Sequence, residues 1–283
     1  MMPAAVERGA RATSAKVYKG HIPELDALRA FGIVAVIVAH MWPKESFRIW
    51  ETAQLAWICM DSFFVMSGFL ITGILLDSRT RSDYYSSYYI RRALRILPVY
   101  YAMLVVLTAA DALGFRYSGT VHSAGSPWWF FIYLGNIPTA LTGQWMEAAR
   151  GAFVPLWSLQ IEEQFYLLFP LLVHRMSLKT LSRTVLTLAV ISPVLRLFFY
   201  WADPANTLVQ YVFLPCRMEG LALGAWIAIR FRLKPWELSR RRLSIGAAVL
   251  LAITCLLGGW SGFEHIHAFN RTLGFLISSI ACV

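Results

Sequence analysis

Apolar residues run along this chain in long blocks separated by short polar and basic stretches, and blocks near twenty residues match the hydrocarbon thickness of a bilayer. Such blocks cover residues 26–43, 52–76, 97–113, 155–173, 184–201, 208–229 and 243–260. Lipid offers backbone groups no hydrogen-bond partners, so continuous apolar blocks of this length predict helices. The expected fold is all-α: a polytopic membrane helix bundle of about eight or nine helices. Two apolar runs are shorter. SPWWFFIYLGNIPTAL, at 126–141, is broken by Asn136 and Pro138, and the run from Leu273 stops at Val283.

Basic residues decide the first of these. They cluster at Arg8 to Lys19, at Arg79 to Arg95, at Arg175 to Arg183 and at Arg230 to Arg242. Short cytoplasmic loops hold the Lys and Arg excess, and all four clusters share one side only if 126–141 does not cross. The segment is therefore expected to be re-entrant or interfacial, with its Trp and Tyr at headgroup depth. This topology puts the N-terminus in the cytoplasm. Residues 1–25 form a polar, basic cytoplasmic tail without a signal-peptide cleavage site, and 26–283 form one membrane-embedded domain.

Composition supports that placement. Of 283 residues, 58% are hydrophobic and only 15% charged, against roughly 25% charged in soluble domains. The formal charge of +10 follows the loops rather than one soluble face, which argues for membrane topology and against a nucleic-acid partner. Cys59, Cys216, Cys255 and Cys282 lie far apart inside apolar segments and form no metal-ligand spacing, so they read as buried thiols and no metal is expected.

The polar residues inside the apolar blocks carry the candidate chemistry. Arg29 and His40 are eleven residues apart, three helical turns plus about 20°, so they share a face about 16 Å apart along the axis. Arg29 lies toward the cytoplasm and His40 near the outer end. Taken alone, the two read equally well as a snorkelling arginine and an interfacial histidine. Asp61, Glu162 and Glu163 add intramembrane carboxylates, each costing roughly 2.5–3.5 kcal/mol on insertion scales. A carboxylate beside His40 makes a general-base arrangement. The structural alternative is a charge pair between helices, such as Glu163 with Arg196 or Arg217. Arg217 and Glu219, beside Pro215, Gly220 and Gly224, read either as a buried pair or as the lining of a broken, softened helix. Arg91, Arg92 and Arg95 enter a helix together; they are membrane anchors or an anion clamp for a phosphorylated donor, and Arg29 would extend their basic path.

Five segments, taken in order, resemble the acyltransferase-3 family of integral-membrane O-acyltransferases: LDALRAFGIVAVIVAH, DSFFVMSGFLIT, YYIRRALRILPVYY, LWSLQIEEQFYLLFPLL and CRMEGLALGAW. Family members have about ten helices, so the resemblance implies that this chain lacks its last ones. It implies transfer of an acyl group, commonly acetyl from acetyl-CoA as co-substrate, to a hydroxyl of a cell-envelope glycan, glycolipid or other sugar-containing acceptor. The setting is the bacterial inner membrane, with membrane lipids as surroundings. His40 matches the family's essential histidine and Arg29 its paired arginine. Glu162 matches the first glutamate of its paired-glutamate motif, with Glu163 beside it. Asp61 matches the acidic position before the paired phenylalanines, and Arg91, Arg92 and Arg95 match the basic motif that would bind acyl-CoA. A proton-coupled transporter built on the same buried charges is the alternative, and its signature would be two halves with matching breaks.

Overall fold

The computed structural model describes residues 56–114, 126–145, 153–233 and 270–281, together with helical positions 26, 29, 30, 32–34, 36 and 37. His40, the tail 1–25 and the block at 243–260 lie outside the described residues. Every regular element among the described residues is helical. In chain order α1 is Ala56–Ser78, α2 Tyr84–Ala112, α3 Trp128–Phe131 and α4 Asn136–Thr142. A short 3-10 turn, Val154–Leu156, leads into α5, Trp157–Arg175, followed by α6, Leu178–Ala202. Then come α7 Thr207–Val212, α8 Leu214–Arg217 and α9 Glu219–Leu233, and finally a π-turn Asn270–Gly274 before α10, Phe275–Ala281.

Three of these helices are long and apolar enough to cross a membrane, over Cys59–Ser78, Tyr84–Ala110 and Leu178–Ala202. Helix α2 begins well before the apolar block at 97–113, because the tyrosines and arginines of its first half bind neighbouring helices instead of ending it. Pro98 sits inside it without breaking it. The polar turn between α5 and α6 is short: Ser177 caps α6 by accepting from the Thr180 amide at 3.2 Å, and His174 and Arg175 place basic side chains at the C-terminal, negative end of α5.

The block at 208–229 is not one helix. Pro215 has no N–H to bond the Tyr211 carbonyl, and the chain is extended at Phe213 (φ −84°, ψ 124°) before it restarts as α8. The glycines that follow serve close approach rather than softening. A Cβ added at Gly224 would lie 2.0 Å from the Val65 carbonyl oxygen, and one at Gly68 2.0 Å from that of Leu221. Helices α1 and α9 thus cross backbone to backbone, the small-residue contact by which membrane helices pack. Around this crossing lies the main core, with Phe64, Ile71 and Leu75 of α1 against Ile161, Phe165 and Phe169 of α5 and Leu221, Ala225 and Ile229 of α9. A second cluster joins Tyr100 and Leu104 of α2 to Phe130 and Phe153.

Four charges are sealed inside this bundle, and their pairing corrects the expected one. Arg217 does not meet Glu219: residues two apart on a chain face different ways. Arg217 instead donates to Asp61 Oδ1 at 2.7 Å, and Ser278 Oγ donates to Asp61 Oδ2. Glu219 takes Arg196, Nη1 to Oε1 at 2.6 Å, and Arg196 also donates to the Cys216 carbonyl. All four residues are at most 1% exposed, so the two pairs clamp α1, α6, α8, α9 and α10 together. The Arg217 guanidinium lies 3.7 Å from the centre of the Phe275 ring. Glu163, for which a pair with Arg196 or Arg217 is the structural alternative, meets neither of them and makes its interhelical pair with Arg92 of α2.

Candidate active site

Helix α5 brings the paired glutamates to two different neighbours. Adjacent positions on a helix point about 100° apart, and the two carboxylates do so here. Glu162 accepts from Ser67 Oγ of α1 at 2.8 Å. Glu163 accepts the fork of Arg92 from α2, Nη2 to Oε1 at 2.5 Å and Nε to Oε2 at 3.1 Å. The same guanidinium lies flat over the Tyr166 ring, 3.4 Å from its centre, a bidentate and stacked geometry that only arginine supplies.

The α2–α5 joint that holds this cluster is built from hydroxyls. Pro170 interrupts α5, and having no N–H it leaves the Tyr166 carbonyl without its helical donor. Tyr88 OH fills that place at 3.4 Å, Tyr89 OH bonds the Leu167 carbonyl at 2.8 Å and Tyr84 OH that of Pro170 at 3.1 Å. One further neighbour is shaped for the site. Tyr133 holds a left-handed backbone, φ 58°, uncommon for a bulky residue. It is held there by stacking on Tyr100, centres 4.1 Å apart, and by Gln164, whose amide donates to its carbonyl at 3.0 Å and to Asn136 Oδ1 at 2.7 Å.

Next to Arg92, α1 and α2 enclose a groove of about 460 Å³ lined by Ile71 and Ile74, by Asp77 and by the arginines Arg81, Arg91, Arg92 and Arg95. Arg91 and Arg95 are exposed and stand on one side of α2, as their spacing requires. Arg29 is half-buried and lies 3.6 Å from Asp26. Its helical stretch runs along α1: a Cβ added at Gly32 would come within 2.7 Å of the Phe63 ring, one turn along α1 from Ser67 and its bond to Glu162. The structure therefore brings Glu162, Glu163 and Arg92 into one cluster beside Arg91 and Arg95, while both oxygens of Asp61 are engaged on the far side of α1. Among the described residues no group of His, Cys, Asp and Glu could hold a metal ion.

Ser67, Tyr88, Tyr166 and Arg81 escape a reading based on charges in apolar blocks. Two signals mark two of them, Tyr88 and Tyr166: the tyrosine-rich YYSSYY at 84–89, and a proline in mid-helix four residues after Tyr166.

An all-helical membrane protein with paired carboxylates beside an arginine-walled groove defines the class. The acyltransferase domain family Acyl_transf_3 matches residues 22–283, and the chain belongs to that family. It is similar to a protein named O-acetyltransferase OatA of Staphylococcus aureus (strain NCTC 8325 / PS 47), 29% identical over 276 residues, 91% of this chain and 41% of that protein. It is also similar to a peptidoglycan O-acetyltransferase OatA of Listeria monocytogenes serovar 1/2a (strain ATCC BAA-679 / EGD-e), 30% identical over 255 residues, 84% of this chain and 39% of that one. A putative O-acetyltransferase of S. aureus (strain COL) is 30% identical over 226 residues, covering 74% of this chain and 34% of that protein. The chain thus spans about two fifths of the length of the OatA relatives it matches. No solved structure matches it. These comparisons favour an acyl-transferring enzyme over a transporter.

Proposed function

We propose that this chain is the membrane-embedded part of an O-acetyltransferase, moving acetyl from acetyl-CoA to a hydroxyl of a cell-envelope glycan. Peptidoglycan sugars are the acceptor class to test first, after the name of the Listeria relative. The observation that carries the reading is the groove lined by four arginines, one of which, Arg92, is paired with Glu163, in a chain that belongs to an acyltransferase family. Arginines suit the phosphates of coenzyme A because guanidinium groups bind them through paired hydrogen bonds. The groove faces the cytoplasm, where the donor is made, with residues 1–25 as a tail on that side and 26–283 as the domain in the bacterial inner membrane.

His40 acts as general base. Its imidazole takes the proton of the acceptor hydroxyl as that oxygen attacks the thioester carbonyl. The tetrahedral intermediate collapses with loss of the C–S bond, and the departing coenzyme A thiolate takes the proton back from the imidazolium. Glu162 or Asp61 orients the imidazole; Asp61 also holds Arg217 with one oxygen and Ser278 with the other. Arg29 carries the basic path from the groove toward the site.

The test is transfer from labelled acetyl-CoA in membranes carrying wild type or His40→Ala at matched protein levels, with the complete native reading frame in parallel. Label is expected in a glycan fraction, falling by roughly 10²–10⁴-fold in the variant, the usual contribution of a general base. Wild type that labels no glycan or lipid fraction from any of several acyl-CoA donors would overturn the proposal.

A further inference from the structure

The three arginines of α2 are alike in sequence and unlike in their surroundings. Around the groove, Asp77 is paired with Arg232 at 2.6 Å, Arg81 with Asp83 at 2.8 Å and Arg92 with Glu163 at 2.5 Å. Arg91 and Arg95 have no carboxylate partner among the described residues; Arg91 is steadied by the Ser87 carbonyl at 3.1 Å and by Ser87 Oγ. The groove therefore presents two guanidinium groups one turn apart that are in no ion pair among the described residues, suited to an anion with phosphate groups.

Arg92 stands about 100° around the helix from Arg91 and points at α5. To reach a ligand it would have to leave Glu163 half-buried without its ion-pair partner and give up the Tyr166 ring, which costs far more than recruiting the exposed Arg91 and Arg95. Its charge has a different task. Glu162 and Glu163 are neighbouring carboxylates, and Arg92 neutralises the second, leaving the first to Ser67.

We infer that the arginines divide the work: Arg91 and Arg95 hold the phosphates of the acyl donor, and Arg92 is a positioning residue that fixes the carboxylate face of α5. The inference rests on the acetyl-CoA reading above and assigns Arg92 a place that its position in the basic motif does not suggest.

The experiment uses the full chain in lipid nanodiscs, scoring monodisperse elution, binding of coenzyme A and of inorganic pyrophosphate, and acetyl transfer. Arg91→Ala and Arg95→Ala are each expected to weaken coenzyme A binding by about tenfold to hundredfold, as loss of a charged hydrogen-bonding partner does, and to raise KM for the donor with kcat kept. Arg92→Met is expected to keep coenzyme A affinity within about threefold and to lower kcat at saturating donor. Arg92→Lys, which keeps the charge and loses the fork, shows a smaller kcat loss, and Arg92→Met with Glu163→Met recovers part of it by removing the stranded carboxylate. An Arg92→Met protein that binds coenzyme A as weakly as Arg95→Ala overturns the division, and so does a double variant no better than the single one. Wild type that binds pyrophosphate but not coenzyme A removes the acetyl-CoA reading alone, and the ranking of the variants on pyrophosphate then decides the division. Wild type that binds neither overturns both.

Discussion

Gly68→Ala and Gly224→Ala should each prevent this protein from accumulating as a folded, monodisperse species. In both cases the new methyl carbon would stand 2.0 Å from a carbonyl oxygen of the facing helix. No rotamer can relieve this, since a Cβ is fixed by the backbone and the atom it meets is backbone too. The helices must separate along the crossing that centres the main core, and a core opened on both sides loses dispersion contacts throughout. The cost should exceed the roughly 1–3 kcal/mol typical of overpacking. Gly220→Ala gives the internal scale. Its nearest neighbour would be the Phe64 Cβ at 3.0 Å, a full ångström farther away than the carbonyl oxygens are, so a small backbone shift relieves it, and its loss of detergent-extracted yield and of thermal midpoint should be clearly the smallest of the three. Equal behaviour of all three variants would contradict the backbone crossing.

The second large effect is expected at Arg217. Removing it as Arg217→Ala leaves Asp61, at most 1% exposed, without its ion-pair partner and with Ser278 as its remaining hydrogen-bond donor among the described residues. Breaking a buried pair from one side costs roughly 3–5 kcal/mol, a large share of the roughly 5–15 kcal/mol that holds a domain folded. Replacing both partners by apolar residues of similar volume, Asp61→Leu with Arg217→Met, should recover most of the loss, because the penalty comes from the stranded charge and not from the missing bond. Thermal unfolding in detergent reads both. If the double variant is as unstable as the single one, the cluster contributes more than charge balance.

The two results concern features that the sequence reveals to different degrees. Apolar blocks suffice to read an all-helical chain with membrane-length blocks at 52–76, 97–113 and 184–201, since length and hydropathy are local properties; that the second helix starts as early as Tyr84 is not read from them, because its first half is polar and basic. That Asp61, Glu162, Glu163 and Arg217 matter is also legible, because a charge in an apolar block needs a reason. Which charge meets which is not. Arg217 and Glu219 look like partners two residues apart, yet one turns to α1 and the other to α6, and that choice depends on the break at Phe213 and on how close Gly224 lets α9 approach. Gly220 and Gly224 next to a proline suggest a flexible helix; only packing shows them as the floor of a helix contact. Ser67 is invisible for a similar reason, since an uncharged residue in a membrane helix attracts no notice until a carboxylate is found beside it.

The joint between α2 and α5 reads main chain on one side and side chain on the other. Three tyrosine hydroxyls grip carbonyl oxygens at Tyr166, Leu167 and Pro170, atoms that every residue possesses. The grip is therefore blind to what α5 displays at Leu167, whose side chain is largely exposed. A change of side chain at Leu167 alters the outer face without touching the grip, while the tyrosines keep the glutamates in register from within.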